Sequence, residues 1–142
     1  MDLDRLITFY HTLTPKSVEG MSEFYSADAY FKDPFNEVHG VAAIQNIFAH
    51  MFKQVDAPRF DVTERVADAN SAVLVWDFFY CLHHKKQGKT QHIRGVSHLK
   101  FDIDGKINYH RDYWDAAEEL YMKQPVIGPL MRFLQRMASA SG

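Results

Sequence analysis

Two aspartates are the residues of this sequence best placed to do chemistry, and Asp33 is the first of them. It lies between Lys32 and Pro34, at the end of a short predicted strand. The proline removes a hydrogen-bond donor from the sheet and bends the chain, which would let the carboxylate leave the sheet and face a cavity. An Asp-Pro pair is also a common turn, so a purely structural role for Asp33 stays open.

The second aspartate, Asp112, lies in an aromatic run near the end of the predicted sheet. Alternate residues of a strand share a face, so His110, Asp112 and Trp114 point in one direction. A buried carboxylate needs a hydrogen-bond partner or must be protonated, and either arrangement suits acid–base chemistry. Aromatic residues occur on both faces of this segment, so the pattern leaves open whether the face of Asp112 is buried.

Other reactive residues lack the patterns that metal or nucleophilic sites require. The chain has eight histidines, but none forms a helical i, i+4 pair or a zinc spacing, and the adjacent pair His83 and His84 is expected to face solvent. The single cysteine, Cys81, lies between Tyr80 and Leu82 and is expected to behave as a small apolar residue. The sequence has neither a Gly-x-Ser-x-Gly segment nor a glycine-rich phosphate loop. We therefore expect no metal and no cofactor.

Composition narrows the class of protein further. The 142 residues are 46% hydrophobic and 14% aromatic, which favours one globular domain with a large aromatic core or pocket. The net charge is -2 and no basic stripe is visible, which argues against a nucleic-acid partner. No apolar run approaches the ~20 residues of a membrane span, and the first residues lack the features of a signal peptide. A lone cysteine fits a reducing compartment, so we expect a cytoplasmic location.

Hydrophobic periodicity predicts helices at the start of the chain and strands after them. The predicted helices cover residues 3–13, a short segment beginning at Ser17, 41–55, 116–124 and about 127–138, the last one amphipathic. The predicted strands cover residues 29–34, 60–66, 72–82, 92–101 and 107–114, with a two-residue hairpin at Asp104-Gly105 and a solvated loop at 85–89. Helices grouped before strands indicate an α+β fold, in one domain spanning residues 1–142 with a core of about 3–124.

In this order, several short motifs resemble a known family. They are Phe24–Ala29, Lys32-Asp33-Pro34, Gly40 before a helix, and Arg111-Asp112-Tyr113-Trp114-Asp115. Together they resemble the SnoaL-like, ketosteroid-isomerase-like branch of the nuclear-transport-factor-2-like superfamily. The resemblance implies an α+β cone in which N-terminal helices pack on a curved antiparallel (mixed) sheet. It also implies an apolar pocket between the helices and the concave sheet face, and frequent dimerisation through the opposite face.

The resemblance transfers some functional residues and not others. Asp33 matches the general base of ketosteroid isomerase, whose oxyanion hole consists of a tyrosine and a protonated aspartate. Ser97 stands at the position of that aspartate and Phe9 at that of the tyrosine, with Tyr10 beside it, so the oxyanion hole does not carry over. Asp112 resembles the last-strand aspartate of limonene epoxide hydrolase, but its arginine and second aspartate have no match, because Asp77 is expected to face outward.

The resemblance also implies that the strand face carrying Asp112 points toward the pocket. This answers the question, left open by the pattern, of whether that face is buried. We therefore expect catalytic roles for Asp33, Asp112 and His110, and a ligand-binding wall formed by Tyr10, Phe31, Trp76, Phe78, Tyr80, Ser97 and Trp114. The predicted activity is that of a cofactor-independent isomerase, cyclase or hydrolase acting on a hydrophobic small molecule. The alternative is a small-molecule-binding or dimeric assembly module without catalysis. A homodimer is expected through the outer sheet face formed by Val73, Val75, Phe79, Tyr109 and Tyr113.

Overall fold

The structure is a computed structural model that describes residues 1–82, 89–120 and 127–138, without the side chains of residues 127, 131 and 135. Its helices are α1 (Leu3–His11), α2 (Pro15–Val18), α3 (Val41–Gln54), α4 (Ala116–Glu119) and α5 (Ile127–Ala138), with a 3-10 turn at Met21–Glu23. Its strands are β1 (Tyr25–Lys32), β2 (Glu37–His39), β3 (Val55–Ala67), β4 (Ser71–Leu82), β5 (Gln91–Phe101) and β6 (Ile107–Tyr113).

The strands form one mixed sheet in the order β2-β1-β6-β5-β4-β3. Neighbouring strands are antiparallel except β1 and β6, which run parallel and place Phe31 opposite His110. This parallel pair brings the N-terminal quarter of the chain beside the strand that carries Asp112. The predicted α+β fold with a mixed sheet is confirmed.

One face of the sheet is buried by the helices and the other is not. Along β4 the residues Leu74 and Trp76 are buried, whereas the alternating Val73 and Val75 are half-buried. This period of two follows from the pleat of a strand, since successive side chains point to opposite faces. The helices α1 and α3 pack on the buried face, where β1 and β3 contact them.

The helix that covers the sheet, α3, begins directly after a glycine that its start requires. Gly40 has a φ of 97°, and its N–H donates to the carbonyl of Ala29 at 2.8 Å. A residue with a side chain would be strained at this angle, so glycine allows the chain to turn sharply from β2 into the helix. Ile44 and Phe48 lie one turn apart on the buried face of α3, and the amphipathic helix predicted for residues 41–55 is confirmed.

The start of the second helix differs from the prediction. The N-cap is Thr14 and not Ser17, because the Thr14 side chain accepts from the Ser17 N–H at 3.0 Å. The Ser17 hydroxyl oxygen accepts in turn from the Thr14 N–H at 2.9 Å, which completes a capping box. Pro15 occupies the first helical turn, where its missing N–H costs nothing.

The predicted two-residue hairpin at Asp104-Gly105 is wrong in length. The strands end at Phe101 and begin again at Ile107, so the connection spans residues 102–106. Asp102 accounts for the longer loop, because its carboxylate accepts from the N–H groups of Asp104 and Lys106, each at 2.9 Å. Gly105 takes the positive φ of 76° that the turn requires.

The remaining element boundaries shift by a few residues. β1 begins at Tyr25 rather than at residue 29, because Tyr25 pairs with Ile107 of the parallel strand β6. The short edge strand β2 was not expected from the sequence. The predicted end of the helix over 121–124, the pair His83 and His84, and the predicted loop up to residue 88 lie outside the described residues.

Candidate functional site

A cavity of about 550 Å³ lies between α3 and the buried face of the sheet. Its wall carries both predicted aspartates, Asp33 and Asp112, and it is otherwise mainly apolar. Seven aromatic side chains line it: Phe31, Phe35, Phe48, Phe60, Trp76, Phe78 and Trp114. Cavities of this size and lining are typical of sites for small molecules.

Asp112 is held by two side-chain donors that meet at one of its oxygens. The Ser97 hydroxyl donates to Asp112 Oδ1 at 2.5 Å, and His110 Nε2 lies 2.6 Å from the same oxygen. The position of Ser97 follows from the pairing of β5 with β6, which places it opposite Asp112. The second oxygen, Oδ2, accepts no hydrogen bond from the part of the chain that the structure describes. The Asp112 side chain is 16% exposed and is part of the cavity wall.

Two buried tyrosines extend the hydrogen bonds behind His110. The Tyr25 hydroxyl lies 2.8 Å from His110 Nδ1, and the Tyr10 hydroxyl lies 2.6 Å from that of Tyr25. A carboxylate can only accept, so a neutral His110 carries its proton on Nε2 and accepts at Nδ1 from Tyr25. Tyr10 then donates to Tyr25, and each buried polar group in this chain of contacts has a partner.

The protonation of these two tyrosines follows from their burial. Burial raises the pKa of Tyr10 above its ordinary value, and the nearby charge of Asp112 adds to the effect. Burial likewise raises the pKa of Tyr25 well above its ordinary value, with a further contribution from the adjacent Tyr10. Both hydroxyls therefore stay protonated at neutral pH and act as donors.

Ser97 is positioned in turn by an indole on the neighbouring strand. Trp76 Nε1 donates to Ser97 Oγ at 2.9 Å, which leaves the Ser97 hydroxyl proton for Asp112. The indole ring lies directly over Gly95, its pairing partner on β5. A Cβ at Gly95 would lie 2.3 Å from the Trp76 ring, so only glycine leaves room for the indole in this position. The backbone at Gly95 therefore helps to orient the carboxylate through two intervening side chains.

The other aspartate, Asp33, closes a turn at the cavity wall. Its Oδ1 accepts from the N–H groups of Phe35 and Asn36, at 2.7 and 2.6 Å. The Asn36 side-chain amide donates to both carboxylate oxygens, at 3.1 and 3.0 Å. Asp33 therefore both lines the cavity and forms an Asx turn after β1.

The predicted ligand-binding residues divide into three groups. Phe31, Phe78 and the two tryptophans line the main cavity. Tyr10 and Ser97, together with His110, line a much smaller cavity of about 20 Å³ that shares Asp112 with the main one. Tyr80 is buried and stacks on Phe78 at a ring distance of 5.3 Å, but it is not part of either wall.

Phe35, Phe48 and Phe60 of the cavity wall were missed from the sequence, and so were three residues that position the polar side chains of the site. Tyr25 lies on β1 and reaches His110 only through the parallel pairing with β6, which no local pattern reveals. Gly95 is required by the indole on the next strand, and Asn36 by the turn that follows Pro34. Only Asn36 of these three could have been found from the sequence, since the segment Asp33-Pro34-Phe35-Asn36 is rich in turn-forming residues.

Asp77, the outward-facing aspartate, is part of the opposite surface as expected. Its Oδ1 lies 2.7 Å from His92 Nε2, and the two residues are partly exposed. Over the described residues, no group of three or more His, Cys, Asp or Glu side chains is arranged to hold a metal ion. In the same part of the chain, no helix has the length and apolar character needed to cross a membrane.

Comparison with known proteins agrees with this geometry. The model of the SnoaL-like domain family matches residues 6–110. No curated protein matches the chain. A candidate SnoaL-like polyketide cyclase from Jannaschia sp. CCS1 superposes with a TM-score of 0.71 at 13% identity, covering 89% of this chain and 88% of its own.

Two further solved structures were determined with small molecules. A hypothetical protein with a ketosteroid-isomerase-like fold from Catenulispora acidiphila, in complex with trimethylamine, has a TM-score of 0.67 at 11% identity, with 80% and 85% of the two chains covered. TerC, co-crystallised with polyporic acid, has a TM-score of 0.67 at 17% identity, with 82% and 92% covered. Identities this low establish the common fold. The family model covers most of the chain, and the protein therefore belongs to the SnoaL-like domain family.

Proposed function

We propose that this protein is a cofactor-independent enzyme that moves a proton on a hydrophobic small molecule, with Asp112 as the general base. The reaction class is that of an isomerase, a cyclase or a hydrolase. In the first step Asp112 Oδ2 takes a proton from an activated carbon of the substrate, and the electron pair of the C–H bond stays on the substrate. Where the proton comes from a water instead, the water oxygen attacks the substrate with its electron pair. The protonated Asp112 returns the proton in a later step, so neither an oxidant nor a cofactor is required.

The observation that carries this proposal is the asymmetric hydrogen bonding of Asp112. One carboxylate oxygen is fixed by Ser97 and His110, while the other is without a described donor at the wall of an apolar cavity. A base works best when its reacting atom is free and its orientation is fixed by other contacts. His110, buried and held by Tyr25, donates to Oδ1 and so keeps the carboxylate in a fixed orientation.

Asp33 remains a second candidate for catalysis, but over the described residues its two carboxylate oxygens accept more hydrogen bonds than those of Asp112. Its Oδ1 accepts three hydrogen bonds and its Oδ2 one, all from Phe35 and Asn36. A carboxylate that already accepts four hydrogen bonds is a weaker acceptor for a substrate proton than a carboxylate with one oxygen free. We infer that Asp33 shapes the cavity mouth and supplies negative charge there, while Asp112 reacts.

The alternative is a binding module that holds a ligand without turning it over. A cavity filled by the protein's own Phe and Met side chains would favour such a module, and a cavity of about 550 Å³ reaching both aspartates supports ligand chemistry instead. The relatives crystallised with trimethylamine and with polyporic acid support a small-molecule ligand for this fold. One of these ligands is an amine and the other an acid, so the fold itself does not dictate ligand charge.

Proton transfer can be tested without knowing the natural substrate. Hydrophobic cyclic ketones are incubated with the protein in D2O, and deuterium at the α-carbon is followed by mass spectrometry. Ring opening of 5-nitrobenzisoxazole, which begins with loss of a carbon-bound proton to a base, gives a second readout by absorbance. We expect Asp112→Asn to lower the rate by about 10²–10⁴-fold, the usual contribution of an acid–base group.

Asp77→Asn is the matched control, because Asp77 also bonds a histidine but lies on the outer face. It should retain the wild-type rate. An Asp112→Asn protein that stays within about tenfold of wild type would remove Asp112 from the role of base. Rates equal to those in buffer for all probes would favour the binding module over the enzyme.

A further inference from the structure

The charges on the cavity wall are unbalanced. Of the described residues that line it, the titratable ones are Asp33, Asp112 and His50, and neither lysine nor arginine is among them. The donors to Asp33 are backbone and amide groups, and those to Asp112 are a hydroxyl and an imidazole. Two carboxylates thus share a wall whose described residues include neither lysine nor arginine.

Two cations lie in an adjoining cleft that Asp33 and Asp112 also line, but both cations have other partners. Lys32 and Arg111 line that cleft, and they pair across β1 and β6. Lys32 Nζ binds Glu37 Oε2 at 2.9 Å, and the guanidinium of Arg111 lies over the Tyr113 ring at 4.7 Å. Arg111 alternates with the inward-facing His110 and Asp112, so its side chain belongs to the outer face. Among the described residues, neither cation forms an ion pair with Asp33 or Asp112.

The rest of the wall suits a positive charge as well. Seven aromatic rings line the cavity, and they pack in perpendicular and stacked pairs. Trp114 meets Phe35 edge-on at 5.6 Å, and Trp76 meets Phe60 at 5.6 Å and 84°. The face of an aromatic ring attracts a cation, and tryptophan is the strongest of the three aromatic residues.

We propose that the ligand of this cavity is a hydrophobic amine or quaternary ammonium compound, bound as a cation between the aromatic rings and the two carboxylates. This inference rests on the proposed function only in that it concerns the same cavity. Apolar rings exclude water from the ligand, and uncompensated carboxylates repel an anion and attract a cation in such a site. Asp33 supplies the counter-charge, and Asp112 keeps its free oxygen for the reacting atom.

Binding of three probes of similar size and different charge tests this inference. They are phenyltrimethylammonium, its neutral carbon analogue tert-butylbenzene, and the anion benzenesulfonate. The chain has two tryptophans, Trp76 and Trp114, and both line the cavity, so intrinsic fluorescence reports occupancy directly. We expect the cation to bind about tenfold more tightly than the neutral analogue, and the anion more weakly than either.

Substitution of Asp33 and of Asp112 tests whether these two carboxylates cause the preference for the cationic probe. Asp33→Asn and Asp112→Asn keep the size of each side chain and should each reduce the ratio of cation to neutral affinity, while Asp77→Asn should leave it unchanged. A neutral or anionic probe that binds as tightly as the cation would overturn the inference, and so would the absence of a fluorescence response to the cation. Far-ultraviolet circular dichroism checks that each variant is folded.

The ligand-binding test and the proton-transfer test can fail independently of each other. Equal binding of all three probes, together with loss of proton transfer in Asp112→Asn, would refute the ligand charge and retain the enzyme. A carboxylate-dependent preference for the cation, with no proton transfer to any probe, would retain the ligand charge and refute the enzyme.

Discussion

At the scale of single residues, the described part of the protein contains two histidine–aspartate pairs, one buried and one on the outer face of the sheet. His110 and Asp112 lie 2.6 Å apart on the buried face, and His92 and Asp77 lie 2.7 Å apart on the outer face. The His110 side chain is 3% exposed and that of His92 is 38% exposed. Water solvates the outer pair and screens its charges, whereas the inner pair is fixed beside a cavity. We attribute chemistry to the inner pair because of this setting and not because of its residue types.

Gly95 gives the first prediction at this scale. In Gly95→Ala the new Cβ would lie 2.3 Å from the Trp76 ring, so the indole must move and its hydrogen bond to Ser97 is lost. We expect the free energy of unfolding to fall by about 1–3 kcal/mol, as for other overpacked cores. Urea denaturation measures the change.

Gly20→Ala is the matched control for that prediction. The closest atom to a Cβ at Gly20 is the Ser17 carbonyl oxygen at 3.5 Å, an ordinary contact. The control should change stability by no more than about 0.5 kcal/mol. Equal stability of the Gly95→Ala protein and the wild type would show that the indole does not depend on the glycine.

The buried tyrosines predict how stability depends on alkaline pH. Burial raises the pKa of Tyr10 and of Tyr25 above the ordinary value of 10.0. The unfolded chain therefore releases these protons first as the pH passes 10, and the stability that is present below pH 10 is lost above it. Each tyrosine contributes a slope of up to about 1.4 kcal/mol per pH unit.

Urea midpoints between pH 8 and 11 measure this slope. Tyr25→Phe removes one of the two groups, so its stability should fall less steeply above pH 10 than that of the wild type. Comparison of slopes rather than of absolute stability separates this effect from the hydrogen bonds that the substitution also removes. Parallel curves for the two proteins would contradict the account.

At the scale of elements, the sequence predicts what depends on local pattern and misses what depends on distant partners. The alternation of His110, Asp112 and Trp114 correctly groups them, because a period of two follows from any strand. The role of Tyr25 depends on a parallel pairing between segments more than 80 residues apart, and that of Gly95 on a ring from another strand. No property of either residue's own neighbours indicates these contacts.

The loop between β5 and β6 gives an element-scale prediction. Asp102 accepts hydrogen bonds from two backbone N–H groups of the loop, whereas its neighbour Asp104 takes part only through its own N–H. We expect Asp102→Ala to lower the free energy of unfolding by about 1–2 kcal/mol, and Asp104→Ala to change it by less than about 0.5 kcal/mol. Thermal and urea unfolding of both variants measures this difference. Equal effects of the two substitutions would mean that the Asp102 carboxylate does not hold the loop.

At the scale of the whole molecule, the outer sheet face gives the protein a second surface. Val73, Val75, Phe79 and Tyr109 are half-buried there, and Tyr113 is exposed. Cations cover its aromatic rings: Arg59 lies over Phe79, Lys100 over Tyr109 and Arg111 over Tyr113. A half-apolar sheet face of this kind suits association with a second copy, in which apolar patches are removed from water.

The expected dimer is tested by size-exclusion chromatography with light scattering at micromolar concentration. The predicted mass is twice the 16.5 kDa of one chain. Val75→Glu places a charge in the middle of the face and should yield the monomer. Ile103→Glu is the control, since Ile103 is fully exposed in the loop between β5 and β6, and it should leave the dimer intact. A wild-type protein that elutes as a clean monomer would refute this prediction.

The central claim is that Asp112 Oδ2 meets the reacting atom of a ligand held in the aromatic cavity. A crystal structure of the Asp112→Asn protein with a ligand selected by tryptophan fluorescence tests it most directly. The account predicts ligand density between the tryptophans, with the reacting atom within about 3.2 Å of the substituted side chain. A ligand bound elsewhere, or a cavity closed by the protein's own side chains, would contradict it.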